Sequence, residues 1–260
     1  MNKKAVIFDL DDTLLWDDRA VKEAFEITCL KASISRGINP IELEVAVRSE
    51  ARKLYESYET YPFTQMIGIN PFEALWGRFT EGNHPMFRNL QSIAPQYRKD
   101  SWTAGLILVG VNDEQYGQVL GDMFAEVRRT LAYVYDDTYF VLESLFGKVK
   151  LLLLTNGSPD LQKEKLAGVP RLAPFFNHII ISGDFGRGKP DPAIFEHAIN
   201  LMDINPTEGI MIGDKLTTDI LGSHRIGMDN IWINHHNADV GEHVAPTHTV
   251  TQLKQILELI

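Results

Sequence analysis

The sequence predicts an α/β protein: a doubly wound parallel sheet with an all-helical domain inserted after the first strand. Three observations lead there. Several short, nearly continuous apolar runs each end in a polar or glycine-rich turn, the pattern of parallel strands buried on both faces. Helical patterns follow those turns, as right-handed crossovers between parallel strands require. Far more chain separates the first run from the second than one crossover can use, and that stretch is dominated by helical periodicity.

Taken in order, "KAVIFDL" opens the sheet. "DRAVKEAFEITCLKASISRG" then reads as a helix closed by Gly37, and "NPIELEVAVRSEARKLYESYE" as one started by Asn39 and Pro40. The aromatic stretch "YESYETYPFTQMIGINPFEALWGRF" supplies a hydrophobic core for the insertion, and its loop is long enough to reach a site. "NDEQYGQVLGDMFAEVRRTLAYV" reads as a helix beginning at Asn112. The insertion is therefore placed at residues 16–135, with the core formed by 1–15 and 136–260. In the second core segment the strands are "KVKLLLLTNG", "HIIISGDFG", "EGIMIGD" and "DNIWINHH". The helices "SPDLQKEKLAGV", "DPAIFEHAINLM" and "TTDILGSHRIG" connect them, and "THTVTQLKQILELI" adds a last short strand and helix.

At 260 residues, with 44% hydrophobic and 23% charged side chains, the chain can bury a sizeable core. A formal net charge of -10 disfavours nucleic acid and anionic membranes as partners, since both reward basic surfaces. The single Cys29 excludes an internal disulfide framework and a multi-cysteine zinc site. The charged start MNKK leads directly into a strand rather than a signal sequence, and no apolar run approaches the ~20 residues of a membrane helix. The expectation is a cytoplasmic protein of open oligomeric state.

Open parallel sheets bind ligands at the carboxyl ends of their strands. Four such ends carry chemistry: Asp9, Asp11 and Thr13; Thr155 and Asn156; Lys189; and Asp214 with Asp219. Carboxylates, a hydroxyl and an ammonium converging on one edge are what metal-assisted phosphoryl transfer needs.

In order along the chain, "DLDDT", "LLTNG", "GKPDP" and "GDKLTTD" resemble the four motifs of the haloacid dehalogenase (HAD) superfamily. The resemblance covers the core on both sides of the insertion. It implies a Rossmann-like HAD core with a helical C1 cap, hinged near Leu15 to Asp18 and Tyr135 to Thr138, that closes over the site and selects the substrate. It further implies that Asp9 attacks phosphorus to give an aspartyl phosphate, and that Asp11 protonates the leaving group and then activates water. Mg2+ would be held by Asp9, the Asp11 carbonyl and Asp214, with Asp219 acting directly or through water. Lys189, Thr155 and Asn156, with nearby backbone N–H groups, would hold the phosphoryl oxygens.

The activity so implied is a Mg2+-dependent phosphatase of a small phosphorylated metabolite, phosphoserine first, with a sugar phosphate or a nucleoside monophosphate as alternatives. Phosphomutase and 2-haloacid dehalogenase chemistry rank below it. Asp11, Asp214 and Asp219 argue against the dehalogenase, which needs no metal. A catalytically silent binding protein is the remaining reading.

Plainer roles account for other residues. Asp12 reads as a turn acid, Asp191 as a helix cap, Ser158 with Pro159 as a helix start, and Cys29 as a packing residue. His235 and His236 follow the last core strand and invite a metal reading, but the sequence places no third ligand beside them.

Overall fold

The computed structural model describes residues 3–242 and 244–260; Met1 and Asn2 of the charged start lie outside them. Strand β1 (Ala5–Phe8) is followed by helices α1 (Asp17–Arg36), α2 (Pro40–Ser57), α3 (Tyr61–Ile67), α4 (Pro71–Ala74), α5 (Pro85–Leu108) and α6 (Glu114–Thr130). The chain then runs α7 (Thr138–Leu145), β2 (Lys150–Thr155), α8 (Pro159–Gly168), β3 (His178–Ile181), α9 (Ser182–Phe185), α10 (Pro192–Met202) and β4 (Gly209–Gly213). It ends with α11 (Leu221–Arg225), β5 (Asp229–Ile233) and β6 (His248–Val250).

The six strands form one parallel sheet in the order β3-β2-β1-β4-β5-β6. Order reverses between β1 and β4, where Ala5 pairs with Lys150 on one side and Gly209 on the other. That reversal opens the crevice in which doubly wound sheets place ligands. All four residues of β1 are fully buried, as are Leu152, Leu153 and Leu154 of β2, which is why these strands read as unbroken apolar runs. One sheet face packs Ala5, Ile7, Leu152, Leu154 and Met211 against Ile194, Phe195 and Ala198 of α10.

Packing divides the chain into two compact units. The first comprises Met1–Asp17, Tyr133–Gly157 and Val169–Ile260 and holds the whole sheet; the second comprises Asp18–Ala132 and Ser158–Gly168. The second unit is helical, with Phe25, Trp76, Tyr97, Trp102 and Phe124 at its centre. Asn39 caps α2 by accepting the N–H of Ile41 with Pro40 behind it, and Gly37 ends the preceding helix at φ +68°, both as the sequence predicts.

Several elements depart from the sequence reading. Helix α6 starts at Glu114, because Asp113 rather than Asn112 caps it, its Oδ1 accepting the Tyr116 N–H at 2.9 Å. Helix α5, at 24 residues the longest in the chain, escapes the sequence pattern because Pro95 lies inside it. Its packing explains its survival: at Gly105 a Cβ would fall 2.4 Å from Val47 Cγ2, so the two backbones approach more closely than any larger residue allows. The segment "TTDILGSHRIG" is not one regular helix but a π-turn over Leu216–Ile220 followed by α11, and the last helix is a 3-10 helix over Leu253–Glu258.

Helix α8, which the sequence places in the core segment 136–260, packs with the helical unit. Leu161 joins that unit's apolar cluster, Asp160 accepts from Thr80 Oγ1 (2.6 Å) and the Glu81 N–H (2.7 Å), and Lys165 forms a buried ion pair with Glu73 at 2.9 Å.

Candidate active site

The loop after β1 is built by its own backbone. Asp9 continues the strand, its N–H donating to Ile212 C=O at 2.9 Å, and Leu14 and Leu15 both donate to Leu10 C=O. The chain turns through Asp12 at φ +57°, a left-handed conformation that aspartate tolerates better than bulky residues. Asp12 is thus the turn residue the sequence predicts, and its carbonyl also meets His235 Nε2 at 3.0 Å.

Where the chain leaves and re-enters the sheet unit, two linkers run antiparallel. Trp16 N–H donates to Tyr133 C=O, Tyr135 N–H to Leu14 C=O, and Thr138 Oγ1 to Leu14 C=O. The Trp16 and Tyr135 rings stack at 5.3 Å, and His235 stacks on Tyr135 at 4.2 Å. His235 therefore has packing and backbone partners. The histidine metal reading gains no support, because among the described residues the acid cluster of metal-holding geometry is Asp9, Asp214 and Asp219.

In that cluster one carboxylate oxygen from each residue lies within 4.8 Å of the other two. Asp9 comes from the end of β1 and Asp214 from the end of β4, the two strands flanking the order reversal. Asp219 reaches the same place from the π-turn. Its Oδ2 accepts the Lys215 N–H at 3.1 Å, and it is fully buried against Gly213, where a Cβ would sit 2.3 Å from Asp219 Cγ. Glycine at 213 is thus a steric requirement of the site.

Lys189 Nζ projects into the cluster. It lies 2.6 Å from Asp9 Oδ1, 2.7 Å from Asp219 Oδ1 and 2.7 Å from Leu154 C=O, so an ammonium with three N–H donors faces three oxygens. The lysine is held from behind by Asn156, whose Oδ1 accepts the Lys189 N–H (2.8 Å) while its Nδ2 donates to Lys189 C=O (2.9 Å). Gly188 makes room for this clamp, since a Cβ there would lie 2.9 Å from Asn156 Oδ1. The Asn156 side chain is therefore engaged with the lysine loop.

Thr155 and Thr13 are fully buried on neighbouring strand ends, and the Thr13 hydroxyl makes no hydrogen bond. Asp11 is partly exposed beside them.

The electrostatics fit a hard cation. Burial raises the Asp9 pKa to about 6, opposed by Lys189 and reinforced by Asp219 and Asp11. Burial likewise pushes Asp214 well above the usual carboxylate range, with the charges of Asp9 and Asp219 adding to it. Asp214 Oδ1 is buried without a hydrogen-bond partner. Crowded oxygen donors that resist ionisation together, one of them orphaned, are what a divalent cation such as Mg2+ relieves. At Lys189 burial works against the charge, but Asp219 and Asp9 outweigh it and hold the proton more tightly than usual.

Sequence reasoning passed over Lys215, one residue beyond Asp214. Lost hydration opposes its charge, yet Asp214, Asp9, Asp219 and Asp11 together hold its proton above the ordinary lysine range. The available signal was its place beside a strand-end acid.

The chain is similar to known proteins over nearly its whole length. The chain is 32% identical over 253 residues to a phosphoserine phosphatase of Thermus thermophilus, spanning 97% of each chain. It is 26% identical over 261 residues to a glyceraldehyde 3-phosphate phosphatase of Pyrococcus furiosus, spanning 99% of this chain and 92% of that one. Among solved structures, the putative HAD-hydrolase YfnB from Bacillus subtilis, crystallised with magnesium, superposes with a TM-score of 0.67 at 19% identity, covering 100% of this chain and 99% of that one. Residues 3–227 match the haloacid dehalogenase-like hydrolase family model, and the chain belongs to that family.

Proposed function

We propose that the chain is a Mg2+-dependent phosphatase, cytoplasmic, that hydrolyses a small phosphomonoester through an aspartyl phosphate on Asp9. The observation that carries this reading is the meeting of Asp9, Asp214 and Asp219 within 4.8 Å, with Lys189 Nζ 2.6 Å from the Asp9 carboxylate.

In the reaction, an Asp9 oxygen attacks phosphorus as the alkoxide leaves, and Asp11 gives the alkoxide its proton. Asp11, now a carboxylate, takes a proton from water, which attacks the phosphoryl group and returns Asp9 and inorganic phosphate. Lys189, by bonding Asp9, keeps one of its oxygens ionised and fixed for attack. Thr155 and the Asn156 N–H orient the phosphoryl oxygens. Asp9, the Asp11 carbonyl and Asp214, with Asp219 directly or through water, would hold Mg2+, which supplies the positive charge that lets a carboxylate approach a phosphate dianion.

Phosphoserine is our first substrate, supported by the full-length match to a phosphoserine phosphatase. A sugar phosphate is second, supported by the match to a glyceraldehyde 3-phosphate phosphatase, and a nucleoside monophosphate third, supported by 31% identity over 217 residues to a pyrimidine 5'-nucleotidase of Streptococcus pneumoniae. We assign substrate selection to the helical unit in the role of a cap. The test is turnover of a panel of metabolite phosphates with and without MgCl2. Phosphate release that needs the metal is the expected result. Halide release from a chlorinated acid in EDTA, or phosphoryl return to a second sugar hydroxyl, would replace the reading with a dehalogenase or a mutase.

A further inference from the structure

Four carboxylates, Asp9, Asp11, Asp214 and Asp219, crowd the site, and the buried ammonium among them is already paired with two of them. Lys189 Nζ hydrogen-bonds Asp9 Oδ1 and Leu154 C=O and is ion-paired with Asp219 Oδ1 at 2.7 Å, so an incoming anion must compete with two carboxylates for this charge. A phosphomonoester dianion approaching this edge meets net negative charge from the side chains alone.

Lys215 is placed to change that. The backbone around it is pinned on both sides. Asp214 C=O accepts Trp232 Nε1–H at 2.7 Å, Lys215 N–H donates to Asp219 Oδ2, and Lys215 C=O accepts the Asp219 N–H at 3.0 Å. The residue as a whole is exposed although its ammonium loses hydration beside the acids, and among the described residues that ammonium has no hydrogen bond and no ion pair within 4.0 Å. A rigidly rooted ammonium with three uncommitted donors thus stands one residue from a carboxylate of the cluster. The side chain needs no partner for the fold, since the turn is held by backbone and Asp219.

We propose that Lys215 is a substrate-binding residue whose ammonium captures the phosphoryl dianion, while Lys189 serves to position Asp9. This rests on the phosphatase reading of the site.

The experiment compares wild type, Lys215→Met and Lys215→Arg in Mg2+, measuring kcat and KM on p-nitrophenyl phosphate, the Ki of inorganic phosphate, and the dependence of kcat/KM on NaCl. Loss of one charge-assisted contact is expected to raise KM and Ki together by about tenfold in Lys215→Met, with a smaller fall in kcat and a shallower salt dependence. Lys215→Arg should recover most of the loss, and all three proteins should melt alike. The proposal is overturned if the Ki of phosphate in Lys215→Met stays within about twofold of wild type, or if kcat alone falls. Calorimetric titration of inorganic phosphate reads the same contact without turnover. A wild type that hydrolyses nothing yet binds phosphate through Lys215 would sink the phosphatase reading alone.

Discussion

Asn156 and Lys189 are joined by a reciprocal pair of hydrogen bonds, the asparagine amide reading both the N–H (2.8 Å) and the C=O (2.9 Å) of the lysine. Two strand-end loops are thereby locked together, and the Lys189 ammonium is delivered to Asp9. Asn156→Ala is expected to lower kcat on p-nitrophenyl phosphate by about 10- to 100-fold and to cost about 1–3 kcal/mol of stability, since it leaves two backbone groups without partners. Asn156→Asp keeps the acceptor and loses the donor, so it should fall between alanine and wild type. Equal kcat in all three proteins would show that the clamp does not position the lysine.

Asp9→Asn removes the nucleophile but keeps the side-chain volume. Turnover should drop by at least about 10³-fold. The folded protein should not lose stability in step, because burial already disfavours the Asp9 charge. Kinetics paired with urea unfolding measures both quantities, and a wild-type rate in the variant would remove Asp9 from the mechanism.

A linkage argument gives the pH behaviour. Burial pushes the Asp9 pKa up to about 6 in the folded protein, from the ordinary aspartate value of 3.8, and Asp214 is raised as well. Between those values the metal-free folded state keeps protons that the unfolded chain has released. Its stability therefore falls as pH rises through this window and stays lowered above it. A divalent cation must displace those protons. MgCl2 titrated into weakly buffered protein near pH 6 should release protons, fewer from Asp9→Asn, and apparent Mg2+ affinity should climb between about pH 5 and pH 7. Binding without proton release would contradict the assignment of these acids as ligands.

Gly213→Ala is the steric counterpart. The new methyl would sit 2.3 Å from Asp219 Cγ, displacing a fully buried carboxylate that holds both Lys189 and the Lys215 N–H. Expected are a loss of about 1–3 kcal/mol in urea unfolding and weaker Mg2+ binding. Unchanged metal affinity would mean that Asp219 lies outside the metal site.

In the helical unit, Lys165 and Glu73 form an ion pair with side chains 2% and 4% exposed. Lys165→Met removes a cation from a buried carboxylate that still accepts the Asn70 N–H, and should cost about 1–3 kcal/mol. Most of that should return in the Lys165→Met, Glu73→Gln double variant. A single variant as stable as wild type in urea would show that water already screens the pair.

Much of the sheet unit was legible in the sequence because parallel strands buried on both faces must be continuous apolar runs, and their carboxyl ends must share one edge. That logic alone brings Asp9, Thr155, Lys189 and Asp214 to one place. Legibility failed where the deciding contact is distant or steric. Pro95 disguises α5, whose helix is held by close approach to α2 at Gly105 and Val47. The cap of α6 shifts to Asp113, which is also paired with Arg36 from another helix. Helix α8 follows the Thr155 strand in sequence, yet Leu161, Asp160 and Lys165 bind it to the helical unit.

The sequence by itself determined the fold class and the four strand-end loops that carry the acids, hydroxyls and lysine, because hydrophobic periodicity and strand direction are local properties. Only the tertiary structure decided how the charges are shared. Lys189 and Asp9, 180 positions apart, are neighbours because Asn156, just beyond β2, holds the lysine loop next to β1, and two carboxylates and a carbonyl face that ammonium. Lys215, adjacent to an acid in sequence, keeps its donors uncommitted because backbone and Asp219 bonds shape its turn. Pairing of buried charges depends on which strands adjoin and how closely they pack, and no local pattern encodes it.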